Sequence, residues 1–90
     1  MMFMVIETFR EQDAKSIYAR LREKGRQLPD GLKFVSSWVS ADLGRCFQLM
    51  ETENVTDFQR WIAEWSDLAS FEVVPVAQSR ETAIALGAAD

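Results

Sequence analysis

Residues 32–51 have the sequence LKFVSSWVSADLGRCFQLME, which predicts a β-hairpin. Two runs rich in aromatic and β-branched residues flank Asp42-Leu43-Gly44, a short turn that ends in glycine. Runs of this composition are typical of strands, and the turn between them is short enough to join antiparallel neighbours. The hairpin therefore provides the centre around which the other predicted elements are arranged.

The turn also predicts a strand register. If Gly44 closes a three-residue turn with a positive φ, Ala41 pairs with Arg45. Counting back from that pair gives two faces, which would mix if the register slipped by one residue. The first predicted face is plainly apolar: Val35, Val39, Phe47 and Leu49. The second mixes apolar and polar side chains: Phe34, Ser36, Trp38, Cys46, Gln48 and Met50. We expect any functional surface on this second, mixed face.

Composition excludes several classes of function. The chain has 90 residues, enough for one domain, and a net charge of −4 with no basic run. Nucleic-acid and anionic-membrane partners are therefore not expected, because both rely on positive charge. There is no histidine, the commonest general base and metal ligand. No metal-binding set or phosphate-binding glycine loop is visible, and we expect no cofactor.

The expected location is the cytoplasm. The sequence contains one cysteine, so no intramolecular disulfide can form, as is usual in a reducing compartment. The longest uncharged runs, Met1–Ile6 and Phe34–Ala41, are too short to span a bilayer. Met1–Ile6 also lacks the basic start and small-residue cleavage site of a signal peptide.

Further strands and helices are predicted on both sides of the hairpin. Met2–Thr8 is an apolar run of strand length. The first helix starts at Gln12 or Asp13 and ends at Gly25. Its apolar stripe has helical spacing: Ala14, Ile17, Tyr18 and Leu21. The second helix starts at Asn54 or Thr56, and its stripe contains Phe58, Trp61, Ile62 and Trp65.

The C-terminal part of the chain supplies a last strand and a short tail. Phe71–Ala77 is strand-like but contains Pro75, which cannot donate to a ladder, so this strand is expected at a sheet edge. Ser79 is expected to cap a short helix over Arg80–Leu86. Residues 1–78 are therefore interpreted as one domain, and residues 79–90 as a short helical tail.

This order of elements predicts the α+β class. Two strand–helix–strand halves with right-handed crossovers give a ferredoxin-like βαββαβ fold with a four-stranded antiparallel sheet. Both helices then cover one face of the sheet and leave the other open. We place Phe34, Trp38, Met50, Phe3 and Val5 on the open face, an apolar patch larger than monomers usually expose. The chain is therefore predicted to form a homodimer through this face, which would also protect its edge strand.

A family resemblance rests on five segments: Met2–Glu7, Ser37–Val39, Arg45–Glu51, Trp61–Leu68 and Phe71–Val76. The chain resembles a family of small bacterial proteins known only as domain of unknown function 3303, in the dimeric α+β barrel superfamily. The resemblance extends to about residue 76. It implies the fold and the paired sheets, but no established activity and no catalytic residues. The superfamily includes monooxygenases, lactone isomerases and haem-degrading enzymes, and those that need histidine cannot be models here.

The candidate site is a pocket on the mixed face, between two paired sheets. Its predicted ligand-binding residues are Ser36, Trp38, Cys46, Gln48 and Met50. Glu7 is the candidate catalytic residue, because a carboxyl group in an apolar pocket can have a raised pKa. In the structural alternative, Gln48 and Ser36 hydrogen-bond across the dimer interface and Glu7 lies at its wet rim. Cys46 is interpreted as an inert core residue, because no histidine can activate it.

Two functions remain open at this point. The first is a dimeric protein that binds a small apolar ligand, or that acts as an accessory or interaction module. The alternative is a cofactor-free enzyme of isomerase or monooxygenase type. In that case Glu7 is the base, and Gln48 and Trp38 orient the substrate.

Overall fold

A computed structural model describes residues 1–87 and has four strands and three α-helices in that range. The elements in chain order are β1 (Met2–Phe9), α1 (Ala14–Lys24), β2 (Lys33–Val39), β3 (Arg45–Glu51), α2 (Thr56–Trp65), β4 (Ala69–Val76) and α3 (Ser79–Ala85). A short 3₁₀ turn, Arg10–Gln12, joins β1 to α1. The predicted α+β class is confirmed.

The four strands form one antiparallel sheet in the order β2-β3-β1-β4. β1 lies inside the sheet and pairs with both β3 and β4. β4, which contains Pro75, is one edge strand and β2 is the other. An edge tolerates proline because one side of the strand has no ladder to complete.

The first two helices have clear sequence determinants. α1 begins after Asp13, whose side chain accepts hydrogen bonds from the backbone N–H and the hydroxyl of Ser16, and it ends at Gly25 with φ +68°. α2 buries Phe58, Trp61 and Trp65 against the sheet. The first two of these rings make edge-to-face contacts with aromatic residues of the strands, with ring centroids 5.0 and 5.4 Å apart.

The helices cover the face of the sheet that carries Phe3, Val5, Cys46 and Met50, all of which are buried. Phe3, Val5 and Met50 were expected on the open face, and that expectation is wrong. Burial of one large apolar side chain stabilises the folded state by roughly 1.5–3 kcal/mol. The covered face therefore supplies the main core.

The predicted register of the hairpin is also wrong. Ser40, rather than Ala41, pairs with Arg45, with 2.9 Å between the Ser40 N and the Arg45 O, and Leu43 adopts the positive φ of +62° expected of Gly44. The longer turn shifts the register, and a β-bulge between Phe34 and Ser36 shifts it again.

The new register reassigns the faces of β2. Trp38 now lies opposite Phe47, and Ser36 lies opposite Leu49. Val39 lies opposite Cys46 on the covered face. Each of the two predicted faces of the hairpin therefore contains residues from both observed faces.

The open face of the sheet is nevertheless apolar. Alternation and strand pairing place on it Met2, Met4, Ile6, Trp38, Phe47, Leu49, Val74 and Val76. None of these side chains belongs to the buried core or packs against it, and Trp38 is 54% exposed. Among residues 1–87, the buried residues of the helices cluster with those of the covered face, and α3 has no buried residue.

The tail helix α3 differs slightly from its prediction. Ser79 is the first helical residue rather than the cap, and the capping residue Gln78 makes no side-chain hydrogen bond there. Residues 88–90 of the predicted tail lie outside the described residues. Within residues 1–87, no helix is both long and apolar enough to cross a membrane.

Candidate functional site

A cavity of about 140 Å³ lies between the covered face of the sheet and the helices. Its apolar walls come from β1, α1 and α2: Phe9, Ile17, Leu21, Trp61 and Trp65. An engineered protein cavity of about 150 Å³ holds one benzene molecule. The space therefore suits a single ring or an aliphatic group of similar size.

The polar centre of the cavity is a buried pair, Glu7 and Gln48, which are 4% and 7% exposed. Glu7 is on β1 and Gln48 is on the neighbouring strand β3, so the sheet itself fixes both backbones. Gln48 Nε2 donates a hydrogen bond to Glu7 Oε2. Gln48 Oε1 is buried and accepts no hydrogen bond from any described residue. A buried acceptor without a donor costs about 1–3 kcal/mol.

Burial raises the pKa of the Glu7 carboxyl group above its ordinary value, because a charge is poorly solvated in this apolar space. Hydrogen bonds from Gln48 and Cys46 and the positive charge of Arg26 act in the opposite direction and stabilise the carboxylate. Glu7 therefore keeps its proton to a higher pH than an exposed glutamate does, yet it can still ionise.

Cys46 lies directly opposite Glu7 across the β1–β3 ladder. Burial, followed by the charge of Glu7, raises the pKa of its thiol to about 12. A nucleophilic cysteine needs the thiolate, and this thiol stays protonated. The interpretation of Cys46 as an inert residue fits this environment, and the thiol serves as a weak hydrogen-bond donor to Glu7.

Arg26 and Tyr18 complete the polar lining. The Arg26 guanidinium lies 3.7 Å from the centre of the Phe34 ring, a cation–π contact. Tyr18 is 36% exposed, and burial raises the pKa of its hydroxyl, with Cys46 and Glu7 contributing. Together with the Ser37 hydroxyl, these residues give the cavity one carboxyl group, one amide, one phenol, one thiol and one cation.

The loop between α1 and β2 is held at the cavity by two tryptophans. Trp61 Nε1 and Trp65 Nε1 both donate to the Arg26 carbonyl oxygen, at 2.9 and 3.0 Å. The prediction that these rings form helix core is confirmed, since both are buried. Both rings also line the cavity. Their indole N–H groups position Arg26, the cationic residue among the described residues that line it.

A protein-family model described as Domain of unknown function (DUF3303) matches residues 1–90. The chain belongs to the DUF3303 family. The match includes the tail beyond residue 78, which the segments quoted above did not cover. No curated protein and no solved structure gives a significant match. Because the DUF3303 description names no activity, the function is inferred from the chemistry of the cavity.

The structure of this DUF3303 chain divides the predicted site residues into three groups. Glu7, Cys46 and Gln48 come together in the cavity. Met50 shares their face but is fully buried in the core and does not line the cavity. Ser36 and Trp38 lie on the open face, on the other side of the sheet. The predicted ligand-binding set is therefore not assembled in one place, and the cavity lies under the helices.

Sequence reasoning missed two contributors to the cavity. Ser37 lies opposite Gln48 and lines this cavity, whereas Ser36 was expected to line a pocket between two paired sheets. Arg26 is in a loop and belongs to no periodic pattern, so nothing in the sequence marked it. Among residues 1–87, no group of three or more cysteine, aspartate or glutamate residues is placed to hold a metal ion.

Proposed function

We propose that this DUF3303 protein is a homodimer in which each protomer binds one small, mainly apolar molecule in the cavity beside Glu7 and Gln48. The observation that carries the proposal is the buried Gln48 Oε1 without a donor. Native proteins pair nearly all such atoms, and Gln48 lines the cavity, so its unpaired acceptor favours a ligand that supplies the missing donor.

The walls define the rest of the ligand. Indole and phenyl rings favour a flat apolar body, and the volume of about 140 Å³ limits it to about one ring. The free acceptor favours a hydroxyl or N–H group on that body. Phenol combines one ring with one hydroxyl donor and is therefore a suitable probe.

The proposed dimer uses the open face of the sheet. Its apolar residues exceed what soluble monomers usually leave in water, and a second copy of the same face is a self-complementary cover. The strand order β2-β3-β1-β4 supports a ferredoxin-like arrangement, and two such sheets face to face would form a dimeric α+β barrel. The family resemblance supports a bacterial source, and the single buried thiol of Cys46 supports a reducing cytoplasm.

Ligand binding is tested by titrating the protein with phenol and with benzene, followed by NMR. Wild type should bind both, with phenol tighter because its hydroxyl reaches Gln48 Oε1. Gln48→Met keeps the side-chain length but removes the oxygen, so it should bind the two probes equally. Leu49→Met, at the next position but on the open face, is the control and should behave as wild type. Absence of phenol binding by wild type would contradict the proposal.

Dimerisation is tested by sedimentation equilibrium at micromolar concentration. Wild type should be a dimer, and Phe47→Glu should dissociate it by placing a charge on the open face. Val55→Glu is the matched control, because Val55 is exposed just before α2 and away from that face. A monomeric wild type at these concentrations would contradict the proposed dimer. Ligand binding is decided separately by the phenol titration.

A further inference from the structure

The titratable groups that line the cavity differ in their ability to exchange a proton near neutral pH. Arginine guanidinium groups do not act as proton acceptors in proteins. The Cys46 thiol holds its proton because its pKa is raised to about 12, and burial also raises the pKa of the Tyr18 hydroxyl. Glu7 is the lining group whose carboxylate form can accept a proton and return it, and burial raises its pKa above the ordinary value.

We propose that Glu7 is a catalytic base that moves a proton between adjacent carbon atoms of a small α-hydroxy carbonyl compound bound in the cavity. The inference rests on the proposed function, since it needs a ligand at this place. It adds the reaction and the substrate class, and nothing in the reaction requires a histidine or a redox partner.

The step is balanced within the substrate and Glu7. A carboxylate oxygen takes the proton from the carbon that bears the hydroxyl, and the electron pair of that C–H bond forms the C=C bond of an enediolate. Glu7 then returns the proton to the former carbonyl carbon, while the hydroxyl proton passes to the other oxygen. The product is an isomer of the substrate, with carbonyl and hydroxyl exchanged.

The remaining polar groups suit the other atoms of such a substrate. The hydroxyl would donate to Gln48 Oε1, the acceptor that has no partner among the described residues. The developing enediolate oxygen would be stabilised by the Tyr18 hydroxyl and the charge of Arg26, which line the same cavity. Gln48 Nε2 holds the Glu7 carboxylate in place, so Gln48 is a positioning residue as well as a binding residue.

The geometry also explains why a glutamate in this position can serve as a base. Apolar walls disfavour the carboxylate, which makes it a stronger base than an exposed one. The donors Gln48 and Cys46 and the charge of Arg26 keep the ionised form accessible. These opposing effects bring the group towards the operating pH, where general bases are most effective.

The test uses 1-hydroxybutan-2-one, an α-hydroxy ketone about as large as benzene, in D₂O, with loss of its CH₂OH proton signal followed by NMR. Wild type should exchange these protons faster than buffer does, and Glu7→Gln should lower the rate at least about 100-fold while the probe still binds. Glu23→Gln is the matched control, because Glu23 is exposed on α1 and does not line the cavity. It should exchange as wild type does.

Gln48→Met separates positioning from simple loss of structure. It removes a hydrogen bond that lowers the pKa of Glu7, so its pH–rate profile should move to higher pH relative to wild type. A lowered rate with an unmoved profile would overturn the positioning role.

The outcomes distinguish the two proposals. Binding of the probe without exchange by wild type would overturn the catalytic inference and leave the binding function intact. Exchange that is equal in wild type and Glu7→Gln would also overturn it, because another base would then be responsible. Failure of both 1-hydroxybutan-2-one and phenol to bind would contradict both proposals together.

Discussion

Ser36 and Ser37 are neighbours in β2, yet they lie on opposite faces of the sheet: Ser36 is paired with Leu49 on the open face and Ser37 with Gln48 beside the cavity. Alternation along the strand separates them, and the register set at the turn by the Ser40–Arg45 pair decides which serine faces the cavity. The two serines therefore offer the same chemical group on two surfaces with different proposed roles.

The same substitution at these two positions should have different effects on ligand binding. Ser37→Leu adds a branched side chain to a cavity of about 140 Å³ and should abolish phenol binding. Ser36→Leu adds the same atoms on the open face and should leave phenol binding unchanged. NMR titration of both variants measures this, and equal behaviour of the two would contradict the assignment of the cavity.

Glu7 should make the stability of the protein depend on pH. Because burial raises the folded-state pKa of Glu7 above its ordinary value of 4.5, the folded state binds more protons than the unfolded state as the pH rises past that value. Stability contributed by this group is complete at lower pH and falls as the pH rises through the window between the two pKa values.

Glu7→Gln removes this titration. The variant should gain stability relative to wild type at neutral pH, and the gain should vanish below about the ordinary pKa of glutamate. Urea unfolding at several pH values measures the difference, and Glu23→Gln, on the exposed side of α1, controls for the change in net charge. A variant that is less stable than wild type at neutral pH would show that the carboxylate is net stabilising.

The sequence predicts the elements of this fold well because the hydrophobic periods differ clearly between them. Helical spacing identified the core stripe of α2, and the missing N–H of Pro75 identified an edge strand. The faces of the sheet were harder, since both are apolar and alternation alone does not say which one the helices cover. A positive φ at Leu43 and a bulge near Val35 then shifted the register, and neither has a strong local signal.

Parts of the site were nevertheless accessible from the sequence. Glu7, Cys46 and Gln48 were assigned to a common face by alternation within β1 and β3, and the structure places all three in one cavity. That assignment did not depend on the turn, because it needs only the pairing of these two strands. Arg26 and Ser37 could not be found, since one depends on a loop conformation and the other on the register that the turn sets.

Trp61 and Trp65 should show energetic coupling through the Arg26 carbonyl oxygen. Either indole N–H alone can satisfy this oxygen, so Trp61→Phe and Trp65→Phe should each leave one hydrogen bond in place. The double variant leaves none, and it should be destabilised by about 1 kcal/mol more than the sum of the singles. Chemical unfolding of the four proteins gives the coupling, and strictly additive values would show that the shared acceptor is satisfied in another way.

Gly31 lies against Asp57, the N-terminal acidic residue of α2. It has φ +93°, and a Cβ atom there would lie 2.9 Å from Asp57 Oδ2. That oxygen accepts a hydrogen bond from the Thr52 hydroxyl at 2.8 Å, and the other carboxylate oxygen accepts one from Arg60. The carboxylate therefore cannot move aside without weakening these contacts.

Gly31→Ala should consequently cost more stability than Gly25→Ala. Gly25 has φ +68° and open space around its Cβ position, so alanine there adds only the strain of a positive-φ backbone that favours glycine, about 1–3 kcal/mol. At Gly31 the contact with Asp57 adds about 1 kcal/mol for the disturbed hydrogen bonds. Asp57→Ala removes the obstacle, so the cost of Gly31→Ala should fall towards that of Gly25→Ala in this background. An unchanged cost there would assign the whole effect to backbone strain at Gly31.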